Sequence, residues 1–158
     1  MNRGSGNTTR LVRLLHLQME LERVFFDEMV EHGLAGFPNE ACGLLAGKEG
    51  RAVRFFPMKN ADASAVTYRL DPEEHYRVSS EMDDQAWDLL GIFHTHTHSE
   101  AYPSPTDRKR AMWPGSDEAS FPDAYFFIMS LTDRSEPVLR AFRIRDNRDV
   151  SEEELVIA

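Results

Sequence analysis

Between Gly91 and Asp107 the chain reads GIFHTHTHSEAYPSPTD, which brings His94, His96, His98, Ser104 and Asp107 into one short stretch behind an apolar run. Imidazoles and a carboxylate at this spacing point to metal chemistry. Leu89, Leu90, Gly91, Ile92 and Phe93 read as a short buried strand, and alternate side chains of a strand share a face, so His94 and His96 converge. Pro103, Ser104, Pro105 and Thr106 form a stiff turn that can open a helix with Asp107 in its first turn, returning a carboxylate to the imidazoles. Two nitrogens and one oxygen leave the fourth position of a tetrahedral zinc site to water, the pattern of a catalytic rather than a structural centre.

Other reactive side chains need weighing against simpler roles. Glu40 opens the apolar run Phe37–Gly47 (FPNEACGLLAG), a central strand entered from a turn. A carboxylate at the edge of such a strand is solvated, paired or employed, and the residue alone does not choose between an exposed glutamate and a catalytic one. Cys42 shares its parity and reads as a small buried hydrophobe ahead of a thiolate ligand. His16, His32 and His75 have no second ligand at strand or helix spacing and read as surface or capping residues. His98 has the parity of the other two strand histidines, but reads as a loop or pocket-rim residue.

The elements that must position these groups follow from periodicity. Residues 1–9 offer almost nothing to bury and read as a flexible tail ahead of one domain at 10–158. A short strand is expected near Leu14–Gln18, and an amphipathic helix over Glu20–Glu31 ending near Gly33. Val53 and Phe55 mark a second strand, Asn60–Ser64 a loop and Thr67–Leu70 an extended segment. Asp71 and Pro72 cap and start a helix through Gln85, with Tyr76, Val78 or Ser79, and Met82 inward. After Asp107 the run RKRAMW continues a short helix to Pro114 and Gly115, and Asp117–Pro122 is a loop. Ala124–Leu131 and Val138–Ile144 read as strands of a hairpin turning at Asp133–Pro137. A final edge strand is expected at Leu155–Ile157, after the solvated charge run Glu152–Glu154. The fold class is therefore α/β, a mixed central sheet flanked by helices.

Length and charge bound the function. At 158 residues the chain holds one domain with a sizeable core. With 27 acidic against 18 basic side chains its net charge is −9, which disfavours nucleic acid as a partner. Cys42 is the only cysteine, so neither an internal disulfide nor a cysteine cluster is available. No apolar run is long enough to span a membrane and the amino terminus has no leader pattern, so a cytoplasmic protein without a membrane partner is expected.

Taken together, Glu40, then His94, His96, Ser104 and Asp107 as His-x-His, seven residues, Ser, two residues, Asp, resemble the signature of the JAMM (MPN+) metalloprotease family. The words EACGLLAG, YRLDP and SEAYPSPTD are similar to its small bacterial branch. The resemblance implies a single MPN domain of cytidine deaminase-like fold. It also implies one Zn²⁺ per chain on His94, His96 and Asp107, Glu40 as general base and then acid, and Ser104 as donor to the tetrahedral oxyanion. The implied partner is a ubiquitin-like sulfur-carrier protein ending in Gly-Gly, from which cysteine is released in cysteine biosynthesis. Cleavage of another ubiquitin-like modifier, a silent scaffold and a purely structural metal are the alternatives, and a homodimer is compatible with the sequence. Thr97 stands where many members have proline, and the sixteen residues between Asp107 and Ala124 leave little room for a long insertion.

Overall fold

A computed structural model describes residues 18–158. The expected tail, His16 and most of the strand expected near Leu14–Gln18 lie outside the described residues. In chain order the elements are β1 (Gln18–Leu21), α1 (Arg23–Gly36), β2 (Cys42–Lys48), β3 (Arg51–Met58), α2 (Pro72–Asp84), β4 (Asp88–His96), α3 (Pro105–Arg110), β5 (Tyr125–Ser130), β6 (Val138–Arg145), a 3₁₀ turn (Asp146–Arg148) and β7 (Asp149–Ile157).

The strands form one mixed sheet in the order β1-β7-β6-β5-β4-β2-β3. β4 pairs with β5, and β1 with β7, in parallel; the other neighbours are antiparallel. Alternation along the strands splits the core in two. Leu44, Ile92 and Ile128 face Val78 and Met82 of α2, whereas Leu45, Phe93 and Phe127 face Phe25 and Met29 of α1. His94 and His96 have the parity of Ile92, so they emerge at the C-terminal end of β4 on the α2 face.

Several boundaries differ from expectation for physical reasons. Glu20 belongs to β1, paired with Val156, so α1 starts later. The helix also runs past Gly33: a Cβ there would lie 3.0 Å from Thr95 Cγ2, so this glycine permits helix and sheet to approach rather than stopping the helix. Tyr76 is 78% exposed, and Val78 and Met82 alone form the buried stripe of α2. α3 ends at Arg110 and Ala111 caps it, short of Trp113. Thr67–Leu70 makes a single bridge, Asn60 to Leu70, rather than a strand. The last strand is not an edge. β7 includes Glu152–Glu154 and lies between β6 and β1; Glu152 and Glu154 stay exposed on one face while Glu153 is half-buried on the other.

Gly91 lies in β4 under the ring of Phe127, where an added Cβ would sit 2.3 Å from Cε2. Phe127 is fully buried and has nowhere to move. Gly91→Ala is expected to destabilise the fold by about 1–3 kcal/mol, read as a lower denaturant midpoint; an unchanged midpoint would show that the ring yields freely.

Candidate metal centre

Three side-chain atoms meet at the end of β4. His94 Nε2 and His96 Nε2 are 3.1 Å apart, and Asp107 Oδ2 lies 3.1 and 3.0 Å from them. These edges approach the roughly 3.3 Å between ligands of a tetrahedron with zinc–nitrogen bonds of about 2.0–2.1 Å. The residues therefore fit a divalent cation.

Strand pleating aligns the two imidazoles, and a capping box brings in the carboxylate. Ser104 is the N-cap of α3: its Oγ accepts from the Asp107 N–H at 3.1 Å, and its own N–H donates to Asp107 Oδ2 at 2.9 Å. The paired exchange fixes the carboxylate's direction. His96 Nδ1 donates to the Glu100 carbonyl at 2.7 Å, which fixes the ring and would leave the Nε2 lone pair for a cation once the proton shared with Asp107 is displaced.

Charge states follow from the surroundings. Burial raises the Asp107 carboxyl, but hydrogen bonds from His94 and His96 outweigh it and hold the group well below the usual range. Complete burial pushes His94 down and keeps it neutral. For His96 burial acts in the same direction, yet its bonds to Asp107 and the Glu100 carbonyl prevail and raise it. Neutral His94 beside ionised Asp107 matches the protonation pattern of a metal-ligand set, whereas the raised His96 would give up its proton to an incoming cation.

Glu40 reaches this site from far along the chain. Ala41, the next residue, donates its N–H to Thr95 Oγ1 at 2.8 Å and accepts from the Thr95 N–H at 3.0 Å. Thr95 stands between the two histidines and faces the other way, so it clamps the Glu40 segment to the strand that carries them. Asn60 Nδ2 adds a bond to the Glu40 carbonyl at 3.0 Å. A carboxylate oxygen of Glu40 consequently comes within 4.8 Å of ligand atoms of both histidines. The side chain is 4% exposed, and burial pushes its carboxyl up to about 8. Its Oε1 has no hydrogen-bond partner among the described residues, and neither has His94 Nδ1. Buried polar atoms left unpaired are costly, which marks the spot as built for something other than packing.

The remaining sequence candidates separate from the cluster. His98 is exposed beyond the strand end, edge-on to Phe37. Cys42 is fully buried with Sγ directed at the carbonyls of Met58 and Lys59, and burial raises its thiol to about 12. His32 spans the Cys42 and Met58 carbonyls, and His75 stays on α2. Glu40 itself sits just before β2 rather than within it.

Sequence reasoning missed two positioning residues. Tyr68 lies flat on His94, centroids 4.2 Å apart, and no periodicity singles out a loop tyrosine. Thr95 was hidden because a residue between two candidate ligands reads only as a spacer.

Comparison with known proteins agrees with this geometry. Residues 22–145 match the family described as prokaryotic homologs of the JAB domain. The chain is 42% identical over 120 residues to the CysO-cysteine peptidase of Mycobacterium tuberculosis, covering 75% of this chain and 77% of that protein. It is 41% identical over 96 residues to the desampylase of Haloferax volcanii, covering 56% and 69%. Among solved structures, protein DSY2949 of Desulfitobacterium hafniense superposes with a TM-score of 0.73 at 32% identity, over 88% of this chain and 92% of that one.

Proposed function

This chain belongs to the prokaryotic JAB-domain homologues, the JAMM metalloproteases, and on that premise we propose that it is a zinc-dependent peptidase acting after the C-terminal Gly-Gly of a ubiquitin-like sulfur carrier to release cysteine. The observation that carries the reading is the convergence of His94, His96 and Asp107 with a buried, unpaired Glu40 carboxylate beside them. The 42% identical mycobacterial relative supports cysteine as the leaving group.

His94, His96 and Asp107 would hold the ion. When bound, zinc supplies Lewis acidity that polarises a carbonyl and brings the pKa of water to about 7. The chain's own residues do the rest. Glu40 accepts a proton and later returns it to the departing amine: burial raises its carboxyl, which helps it hold the proton, and a cation beside it would favour the ionised form that accepts. Ser104 Oγ uses a lone pair on the Asp107 N–H, which leaves its O–H free to donate to a developing oxyanion. Tyr68 and the Glu100 carbonyl hold the two imidazole planes. A glycine tail suits such a site because glycine allows the backbone a close approach.

Ser104→Ala is expected to lower kcat by about 10²–10³-fold with zinc retained, against a cap loss of only about 1 kcal/mol in stability. Steady-state rates and metal analysis on the same preparation check this; a variant of unchanged kcat would leave Ser104 a cap alone.

The substrate is tested by incubating the zinc-loaded protein with a carrier ending in Gly-Gly-Cys and weighing the product. Loss of one cysteine residue is expected. A second reading is cleavage of a lysine-linked conjugate of another ubiquitin-like modifier, and likeness to the protein named desampylase in Haloferax volcanii keeps it open to test. Cleavage of such a conjugate and not of the Gly-Gly-Cys carrier would select it, and cleavage of neither would select a silent scaffold.

A further inference from the structure

Beside the metal centre lies a feature that the hydrolytic groups do not use. A cleft of about 930 Å³ runs along α3 and the loop after it. Thr106, the neighbour of Asp107, lines it, and Lys109 and Arg110, three and four residues on, share the same helical flank. The opposite side brings in Arg69 and Arg148.

In a chain of net charge −9, four cations here face only the carboxylates of Asp62 and Asp117. Asp62 is shared by two guanidinium groups, 2.7 Å from Arg110 Nη1 and 3.4 Å from Arg69 Nε. Lys109 and Arg148 have no ion-pair partner among the described residues. The cleft is thus locally positive and suited to a small anion.

Arg110 connects this cleft to the chemistry. Its Nη1 also donates to the Tyr68 carbonyl at 2.8 Å, and Tyr68 is the residue stacked on His94. Nη2 and Nε of Arg110 make no hydrogen bond among the described residues, so two donors of its fork are free for a carboxylate, which guanidinium groups recognise bidentately.

We propose that this cleft binds the free α-carboxylate of the departing residue and so selects a carrier ending in one amino acid over a carrier joined to a lysine side chain. The inference rests on the amide-hydrolysis reading above. A Gly-Gly tail carries no charge near the scissile bond. A leaving amino acid has its carboxylate on the carbon next to the scissile nitrogen, and the Arg110 cation stands one helical turn along α3 from Asp107. A lysine in an isopeptide has that carboxyl tied up in a neutral peptide bond far along the side chain.

The test is calorimetric binding of two peptides, Gly-Gly-Ser as free acid and as C-terminal amide, to zinc-loaded full-length Glu40→Gln. Serine in place of cysteine keeps a thiol away from the metal, and the substitution at Glu40 prevents consumption. The acid is expected to bind about tenfold tighter or more, as for a hydrogen bond to a charged group. Arg110→Ala is expected to bring the two peptides level and Arg110→Lys to keep part of the preference; Lys109→Ala serves if Arg110→Ala fails to fold. Equal affinities before any change to the cleft would overturn the assignment, as would a preference untouched by all three variants. Cleavage of the Gly-Gly-Cys carrier by the unaltered protein is followed in parallel. No cleavage alongside a preserved acid preference would reject the peptidase reading and keep the cleft.

Discussion

Glu40→Gln is expected to reduce hydrolysis by about 10²–10⁴-fold, the usual contribution of a positioned acid–base group, while the protein still binds one zinc. The substitution keeps the size of the side chain and removes its capacity to take a proton. Metal is retained because the tight triangle of donor atoms is made by His94, His96 and Asp107, at 3.0–3.1 Å. Glu40 lies beside the imidazole nitrogens, within 4.8 Å, but makes no hydrogen bond to either of them or to Asp107. Metal analysis and turnover on the same sample separate the roles. Zinc lost together with activity would make Glu40 a ligand; activity kept would remove it from the proton path.

The same variant carries a pH signature in metal-free protein. Glu40 has a folded value of about 8 against 4.5 for an ordinary glutamate. A raised acid contributes stability that is fully present below the unfolded value and is lost as pH climbs to the folded one. Wild type should therefore lose stability between about pH 4.5 and about pH 8 through this group, and Glu40→Gln should not. In thermal melts with chelator, the variant is expected to gain on wild type as pH rises through that window. A constant gap would mean that Glu40 is solvated in the folded protein.

The convergence of the three proposed metal ligands was legible because local rules fix it. His94 and His96 obey the two-residue repeat of a strand, and Ser-Pro-Thr-Asp is a helix start whose N3 carboxylate has to turn back toward the cap. Glu40 could not be located that way. Its approach depends on the pairing of β2 with β4 and on the Thr95–Ala41 clamp, both contacts between residues about fifty apart in sequence. Similarly, Glu153 looks as solvated as Glu152 and Glu154 until β6 and β1 take their places beside it. Gly33 reads as a helix stop until the sheet behind it is seen. Parity along one strand was readable; which strand lies next to which was not.

Asp107→Ala should have the broadest consequence, since one carboxylate would serve the metal and also holds the cap and bonds to two imidazoles. Zinc is expected to fall from about one ion per chain to almost none, because two nitrogens alone are a poor zinc site, and hydrolysis should disappear with it. Stability should also fall, by about 3–5 kcal/mol in metal-free protein near neutral pH, the cost of removing one member of a buried charged pair. The Asp107 carboxyl is held below its ordinary value, so its contribution is complete above the unfolded value of 3.8 and fades only as pH falls below it. The difference between wild type and variant should accordingly hold from neutral pH down to about pH 4 and narrow in stronger acid. Asp107→Asn divides the effects: the amide can still accept from the Ser104 N–H and preserve the cap, but it lacks the charge that balances the ion. It is expected to recover part of the lost stability while staying depleted of zinc and inactive. If Asp107→Asn instead bound zinc at full stoichiometry, the third donor would have to come from Glu40, the other carboxylate beside both imidazoles among the described residues, and the division between ligand and base would be reversed.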